Sequence, residues 1–473
     1  MLLYRILFII LPLSAMRTWI RTGKIAFSYY IILKRIEINF RKPIEAIMKY
    51  TISFPIWCIH DTPGDGAYHD LDAVVRESTE RGFNCLRVDD GAGLIDFSMN
   101  PPNGVVPIRE PYPGFTRNIR QSWCVGNGGN CDLVARLLEL FKAAKKYGVH
   151  IILSSWYYLH TYWYCGDNAL NERLHAIPDH EKFQYFAEQL GHIIDLLRQN
   201  GYIEQIAFAE ILNEADGLKF LGNFGNSNHV SREERQRFGK DHDEAIAWLR
   251  KRHPDVLFAY DTYTVGGTDL DLFPHNLQVW NCHCYYLWEI YGLFEGHLLW
   301  GGVDVEDPKE NSQAAPYLLN PHRPLADIYA SRNGRMFAED GWYRRIWLYS
   351  QLDPAKINEL EAKFIRQFEK DYGRYQQKIV DVLDGAVAFR DAHCPGVPLV
   401  MAEGCTFCAS NFLQWEEKCD KYWELLQFAA DQFKAHGFMG AAIRTCSGRE
   451  DPSWNIRKDD YIRIHRSMLE SSH

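Results

Sequence analysis

A (β/α)8 barrel, the TIM barrel, is the fold this 473-residue sequence predicts. Three observations predict it. Amphipathic helical patterns repeatedly end at a glycine and run at once into short apolar, β-branched segments; eight such segments can be counted; and no Gly-x-Gly-x-x-Gly follows the first, so a doubly wound dinucleotide fold lacks its phosphate turn.

The first strand is expected over Phe54–Ile59. Leu71–Arg81 then leads through Gly82 to a strand over Asn84–Val88, and Leu133–Tyr147 leads through Gly148 to Val149–Ser155. Phe183–Asn200 leads through Gly201 to Gln205–Leu212, and Trp415–His436 leads through Gly437 to Phe438–Arg444. Strands over Val256–Tyr260, Leu277–Cys284 and Val397–Ala402 complete the eight, the first behind a helix over Glu233–His253 and the last behind the helical stretch Pro354–Ala392. In the helix from Leu133, the residues Leu137, Leu140, Phe141 and Ala144 recur at helical spacing behind Asp132, whose carboxylate can cap the free N–H groups of the first turn. Gly148 supplies the left-handed conformation that ends it. Between the sixth and seventh strands lies a long aromatic-rich insertion at about residues 285–349, with Trp288, Trp300, Trp342 and Trp347. It is too long for a plain loop and is expected to form a lid or a subsite wall, the alternative being a flap remote from the chemistry.

Composition bounds the rest. With 47% hydrophobic and 24% charged residues the chain can bury a large core, which suits one domain over residues 48–473. A net charge of −9, with no basic block in the body of the chain, gives no footing for nucleic acid. A neutral substrate fits better, and the 14% aromatic content offers flat rings to stack on the C–H faces of a carbohydrate. Among 12 cysteines, Cys58, Cys85, Cys282 and Cys284 sit in apolar runs and read as reduced core thiols. Cys124 and Cys131 flank Val125–Asn130 and could pair in an oxidising compartment. Cys405 and Cys408 lack the second pair that a zinc site needs, so neither a metal nor a cofactor is expected.

Residues 1–47 read as a leader, signal-like or a non-native extension. The apolar run Ile6–Ala15 resembles a secretory signal, whereas Arg17–Lys42 is basic and irregular. The run is too short for stable membrane insertion. The coherent fold is expected to begin at Met48, with Met1–Lys49 packing against nothing essential. The absence of Asn-x-Ser/Thr sequons and of a disulfide pattern points to the cytoplasm, and export to the periplasm or outside follows if residues 1–15 act as a signal. The oligomeric state is not legible.

Chemistry on a barrel sits at the carboxyl ends of the strands. Those ends carry Arg87-Val88-Asp89-Asp90, Ser154-Ser155-Trp156-Tyr157, Asn213-Glu214, Tyr260-Asp261-Thr262, His283-Cys284-Tyr285 and Glu403-Gly404. Strands four and seven face each other across a barrel mouth, so Glu214 and Glu403 can reach the spacing of about 5–5.5 Å that cleavage of a glycosidic bond with retention requires. Glu403, as nucleophile, must be ionised, and Arg87 would favour that form. Glu214, as general acid and then base, must first hold its proton. Asn213 could donate to a sugar 2-hydroxyl, Tyr285 to the nucleophile, and His283 could orient either glutamate. Glu210, four residues before Glu214 on one strand, falls in the barrel body by alternation. Asp89 and Asp90 could bind hydroxyls or an arginine, and His60-Asp61 could touch substrate or cap a loop.

The motifs Gly82-Phe83-Asn84-Cys85-Leu86-Arg87, Leu212-Asn213-Glu214, His283-x-Tyr285 and Met401-Ala402-Glu403-Gly404, in that order at successive strand ends, resemble the glycoside hydrolase superfamily of barrels with catalytic glutamates after strands four and seven, especially the cellulase-like family 5. The resemblance covers about Phe54 to Arg444. It implies an O-glycosyl hydrolase acting on β-linked oligo- or polysaccharide by double displacement, with Glu214 as acid/base, Glu403 as nucleophile and Arg87 supporting the latter. Strand eight departs from the pattern, ending in Arg444-Thr445-Cys446 where the family places a tryptophan beneath the sugar. Trp454 or a ring of the insertion, such as Trp288, could take that place, and Arg444 and Trp156 join the expected sugar contacts. His160 and Tyr157 make strand three unusual. Two other readings stand beside this one: a non-catalytic carbohydrate-binding barrel, and a metal-dependent barrel hydrolase using His283 and Asp261.

Overall fold

Eight parallel strands close on themselves in the computed structural model. It describes residues 48–61, 66–108, 128–157, 165–218, 230–263, 269–285, 290, 315–319, 348–404, 413–445 and 447–470. In chain order the elements are β1 (Tyr50–Ser53), α1 (Leu71–Glu80), β2 (Cys85–Asp89), β3 (Val105–Ile108), β4 (Gly129–Asp132), α2 (Leu133–Tyr147), β5 (His150–Ser154), α3 (Asn168–Ala176) and α4 (Lys182–Gln199). There follow β6 (Ile206–Glu210), α5 (Arg232–Arg252), β7 (Phe258–Thr262), β8 (Val279–Cys284), α6 (Ile357–Lys370), α7 (Tyr372–His393) and β9 (Leu399–Gly404). The chain then forms α8 (Trp415–Lys418), α9 (Asp420–Ala435), β10 (Gly440–Ala441), α10 (Ser453–Ile456) and α11 (Lys458–Leu469). Around the barrel the order is β1, β2, β5, β6, β7, β8, β9, β10 and back to β1, while β3 and β4 pair antiparallel beside it.

Local sequence explains the helices. Asp132 accepts the N–H of Ala135 at 3.1 Å, the apolar stripe of α2 from Leu133 to Ala144 is buried, and Gly148 ends the helix at φ 69°. Each buried leucine of that stripe contributes on the order of 2 kcal/mol. Gly82, Gly201 and Gly437 adopt the same left-handed turn at the other three junctions.

The structure corrects several boundaries. Strand one is Tyr50–Ser53, not Phe54–Ile59; Cys58–His60 is a short 3-10 turn. The apolarity of Ile56, Trp57, Cys58 and Ile59 reflects burial under the rim, and Pro55 has no N–H to give a ladder. Strand eight shrinks to Gly440–Ala441, the stretch Pro354–Ala392 breaks at Asp371 into α6 and α7, and α8 separates from α9. The backbone N–H of Lys49 bonds the Met439 carbonyl at 2.7 Å, so the barrel ladder already engages Lys49. Cys131 is a buried free thiol directed at the Ile59 carbonyl, and Cys124 lies outside the described residues. So do residues 1–47, His160 and most of the 285–349 insertion, including Trp288, Trp300, Trp342 and Trp347. Among the described residues no helix is long and apolar enough to cross a membrane.

Side-chain alternation builds the barrel interior in layers. Ile52, Cys85, Ile152, Phe208, Ala259, Val279, Val400 and Ala442 form an apolar plug, a cluster separate from the main core that lies between strands and helices. What sits one pleat above that plug decides the chemistry.

Candidate active site

Two residues along the strands from the plug, the inward positions turn polar: Arg87 on β2, Ser154 on β5, Glu210 on β6, Asp261 on β7 and Asn281 on β8, all essentially inaccessible to solvent. Arg87 is the hub. Its Nε donates to Glu210 Oε1 at 2.8 Å, its Nη2 to Asp261 Oδ2 at 2.5 Å and to Asn213 Oδ1 at 2.8 Å, and its Nη1 to Glu403 Oε2 at 2.8 Å. The guanidinium lies 4.7 Å from the Trp156 ring centroid and 5.6 Å from that of Phe54, so aromatic faces cover it where acceptors do not.

The next pleat carries His283, and beside it Glu403. Regular alternation from Val400 and Ala402 would turn Glu403 away from the interior. The pairing of β8 with β9 slips, however: Asn281 is level with Val400 and His283 with Glu403, so three steps of β9 match two of β8. That bulge re-aims Glu403 into the mouth. Asn281 fills the gap in the ladder, its Oδ1 accepting the N–H of Ala402 at 2.9 Å. Tyr285 Oη donates to Glu403 Oε1.

Glu214 arrives differently. It follows β6 in a left-handed conformation, φ 48° and ψ 50°, which costs a non-glycine residue roughly 1–3 kcal/mol and persists only where surroundings enforce it. Its N–H donates to Asp261 Oδ1 at 2.9 Å, and its Oε1 lies 3.1 Å from His283 Nδ1. The other face of that ring, Nε2, is 3.0 Å from Asp261 Oδ2 and 3.7 Å from Glu403 Oε2. One ligand-type atom each of Glu214, His283 and Glu403 fall within 4.8 Å of one another, which brings an oxygen of one glutamate within that distance of an oxygen of the other. The side chains of Glu214 and Glu403 are 5% and 8% exposed, whereas those of Arg87, Glu210, Asp261 and His283 are at 0%, so among these six charged or ionisable groups the two glutamates reach the surface, beside the partly exposed Tyr285.

Burial and charge then set the protonation. Burial pushes the Glu403 carboxyl above its ordinary range even though His283, Arg87 and the Tyr285 hydroxyl each favour the ionised form. Arg87 thus favours the ionised form as expected, but desolvation is larger and sets the net direction. Burial likewise lifts Glu210 to about 7 against the pull of Arg87. For Asp261 the balance reverses: burial acts to raise it, but His283 and Arg87 outweigh burial and hold it low. Burial disfavours a charged His283, yet Asp261, Glu403 and Glu214 raise its pKa well above the usual value. The three side chains are close enough to hold a cation, but Nε2 of His283 is already turned to Asp261 and Nδ1 to Glu214.

Comparison with known proteins bears on the whole barrel. Residues 54–289 match the cellulase-like family, described as sugar-binding cellulase-like. The chain carries a cellulase-like domain. No curated protein sequence matches it. Among solved structures, a protein named as a candidate glycoside hydrolase from Parabacteroides distasonis superposes with a TM-score of 0.58 at 16% identity, covering 90% of this chain and 94% of the other. A family 5 mannosidase from Rhizomucor miehei, at TM-score 0.41 and 12% identity, covers 89% and 94%, and a broad-specificity endoglucanase from an uncultured bacterium, at 0.43 and 10%, covers 90% and 95%. At 16% identity the first of these likenesses concerns the fold alone.

Within this cellulase-like barrel the expected residues separate into two groups. Arg87, Asn213, Glu214, His283, Tyr285 and Glu403 are joined by direct contacts, and Trp156 backs Arg87 from a buried position. Glu210 sits in the barrel body, as alternation requires. Asp89 was expected at the sugar but is fully buried, accepting from His60 Nε2 at 2.8 Å and from the N–H groups of Gly91 and Trp156, so it braces the rim. Asp61 caps the loop through the N–H of Tyr68. Arg444 is not brought to the glutamates: its guanidinium binds Asp451, Ser453, Glu416 and the Tyr422 hydroxyl of α9. Trp454 stacks on Phe83 beneath Arg81 and is buried, so it is no sugar floor. Trp288 lies outside the described residues. Sequence reasoning missed the roles of Asp261 and Asn281. The spacing Val279, Asn281, His283 was the available signal for Asn281; for Asp261 it was the same two-residue step from Ala259.

Proposed function

We propose that this chain is a retaining β-glycosidase in which Glu403 attacks the anomeric carbon and Glu214 protonates the departing oxygen. The observation that carries the reading is the approach of the two carboxyl groups at the mouth, oxygen to oxygen within 4.8 Å. Inverting enzymes hold theirs about 6.5–9.5 Å apart to admit a water between them. In the first displacement the C–O bond to the leaving group breaks as a Glu403 oxygen bonds C1, and the proton of Glu214 passes to the leaving alcohol. In the second, Glu214 takes a proton from water, whose oxygen displaces Glu403 and restores the starting configuration. Arg87 and Tyr285, donating to opposite oxygens of Glu403, stabilise the carboxylate both as attacking and as leaving group. Asn213, anchored by Arg87 through Oδ1, is the nearest chain neighbour able to meet the sugar 2-hydroxyl. The sugar-binding cellulase-like match supports a β-linked oligo- or polysaccharide as substrate.

Aryl β-glycosides and β-linked oligosaccharides, with the first-formed product anomer followed by NMR, test this. Retention is expected, and net inversion would end the assignment. The second reading, a metal-dependent hydrolase, has the three-residue cluster in its favour. Activity abolished by chelation and restored by a divalent cation would select it.

A further inference from the structure

Asp261 belongs to none of the motifs that identify this barrel, yet it touches the proposed acid and three of the groups around it. Its Oδ1 accepts the N–H of Glu214 at 2.9 Å, and its Oδ2 accepts from Arg87 Nη2 at 2.5 Å, Asn281 Nδ2 at 2.7 Å and His283 Nε2 at 3.0 Å. Those four donors come from β2, β8 and the turn after β6, converging on one carboxylate at the end of β7.

Resting on the glycosidase reading, we infer that Asp261 is a positioning residue that does two things to the acid/base: it locks Glu214 in its left-handed turn through the backbone, and it keeps His283 doubly protonated so that the ring clamps one chosen oxygen of Glu214.

The backbone part follows from geometry. A left-handed glutamate needs an external acceptor to hold its amide, and Asp261 Oδ1 is that acceptor. The ring part follows from the charges that face it. Both nitrogens of His283 lie within hydrogen-bond distance of a carboxylate, Nε2 of Asp261 and Nδ1 of Glu214; a neutral ring could serve both only by accepting the Glu214 proton on Nδ1, and the neighbouring carboxylates, with Glu403 Oε2 3.7 Å from Nε2, favour the imidazolium instead. The groups facing the ring are Asp261 from β7, Glu214 from the turn after β6, Glu403 from β9, Arg87 from β2 and, edge-on, Tyr285 beyond β8. Of the carboxylates, Asp261 and Glu214 are within direct hydrogen-bond reach, Arg87 Nη1 lies 3.4 Å from Nε2, and Glu214 must itself carry a proton in the first step. Asp261 is therefore the permanent counter-charge of the imidazolium. With Nδ1–H given to Glu214 Oε1, the proton that Glu214 transfers resides on Oε2, so the clamp selects the oxygen that delivers it.

The test uses the full chain labelled with ¹⁵N-histidine, with His283→Gln assigning the signal. Wild-type His283 is expected to show two N–H protons at about pH 8, beyond the ordinary histidine range. Asp261→Asn keeps an acceptor for the Glu214 amide but removes the counter-charge, and the pH at which His283 loses its second proton should fall by at least about one unit. On an aryl β-glycoside that the wild type cleaves, kcat of Asp261→Asn should drop about 100-fold with KM within about threefold, since the loss concerns proton delivery and not sugar contact. A neutral wild-type ring at pH 7 overturns the proposal even if the variant does not fold, and so does an unchanged titration in Asp261→Asn. A wild type that cleaves none of the panel sinks the glycosidase reading alone, because the His283 spectra still decide what Asp261 does.

Discussion

Two arginines of this barrel are buried to the same degree and saturated by acidic partners, and they do different work. Arg87 binds Glu210, Asp261 and Glu403 inside the barrel; Arg444 binds Glu416 and Asp451 beyond the end of β10, against α8 and α9. Around Arg444 every charged partner named is sealed at 0% exposure, and Ser453 and Tyr422 complete the guanidinium. Around Arg87 one partner, Glu403, still reaches solvent, and it does so beside Glu214. The two clusters thus share a chemistry of charge burial but not of access. A carboxylate whose oxygens are all spoken for and sealed holds the fold together; one that is held from behind and open in front can meet a substrate. Buried ion pairs by themselves are weak evidence of either stability or function.

The largest effect expected from this contrast is at the open cluster. Glu403→Gln should lower kcat by roughly four orders of magnitude or more while leaving the melting temperature within a few degrees, read by steady-state kinetics and calorimetry. Next comes the direct comparison of the hubs. Arg87→Met and Arg444→Met each strand buried carboxylates and should each cost about 3–5 kcal/mol of stability. Activity should part them: the folded fraction of Arg87→Met should lose about 100-fold or more in kcat/KM, and that of Arg444→Met less than about threefold. Comparable kinetic losses in the two variants would erase the distinction.

A smaller effect sharpens the account of Glu403. The Tyr285 hydroxyl favours the ionised carboxylate, so its removal in Tyr285→Phe raises the pKa further above the ordinary range. The acidic limb of the kcat/KM profile, where activity is lost as Glu403 takes up a proton, should move to higher pH; movement to lower pH would contradict the electrostatics. The smallest effect lies next to the sealed cluster, at the partly buried Glu450. Burial lifts Glu450, next to Asp451 and bonded to the Tyr68 hydroxyl, from 4.5 to about 8. Between those values the unfolded chain has released a proton that the folded one keeps, so this group makes stability fall as pH rises towards 8. Glu450→Gln removes that slope. Its melting temperature relative to wild type should rise by about 2–4 °C between pH 5 and pH 8, as measured by scanning calorimetry.

Much of this molecule is written in local sequence. The four helix–glycine–strand junctions, the Asp132 cap and the apolar stripe of α2 stand where short-range rules put them, because a left-handed glycine and a capping carboxylate act over a few residues. The placement of Arg87, Asn213, Glu214, His283, Tyr285 and Glu403 at strand ends was legible for the same reason: strand period and barrel topology together fix a rim. What remained hidden was long-range. Whether Arg444 meets the mouth depends on which acidic groups from distant segments reach its guanidinium, and nothing in Arg444-Thr445-Cys446 encodes that. The strand period alone would have turned Glu403 outward; one extra residue of β9 against β8, accommodated by the Asn281 side chain, turned it in. Asp261 looked like any polar residue at a strand end until three other segments delivered their donors to it. The sign of the Glu403 shift, too, was a contest between a charge readable in sequence and a desolvation that exists only once the barrel has closed.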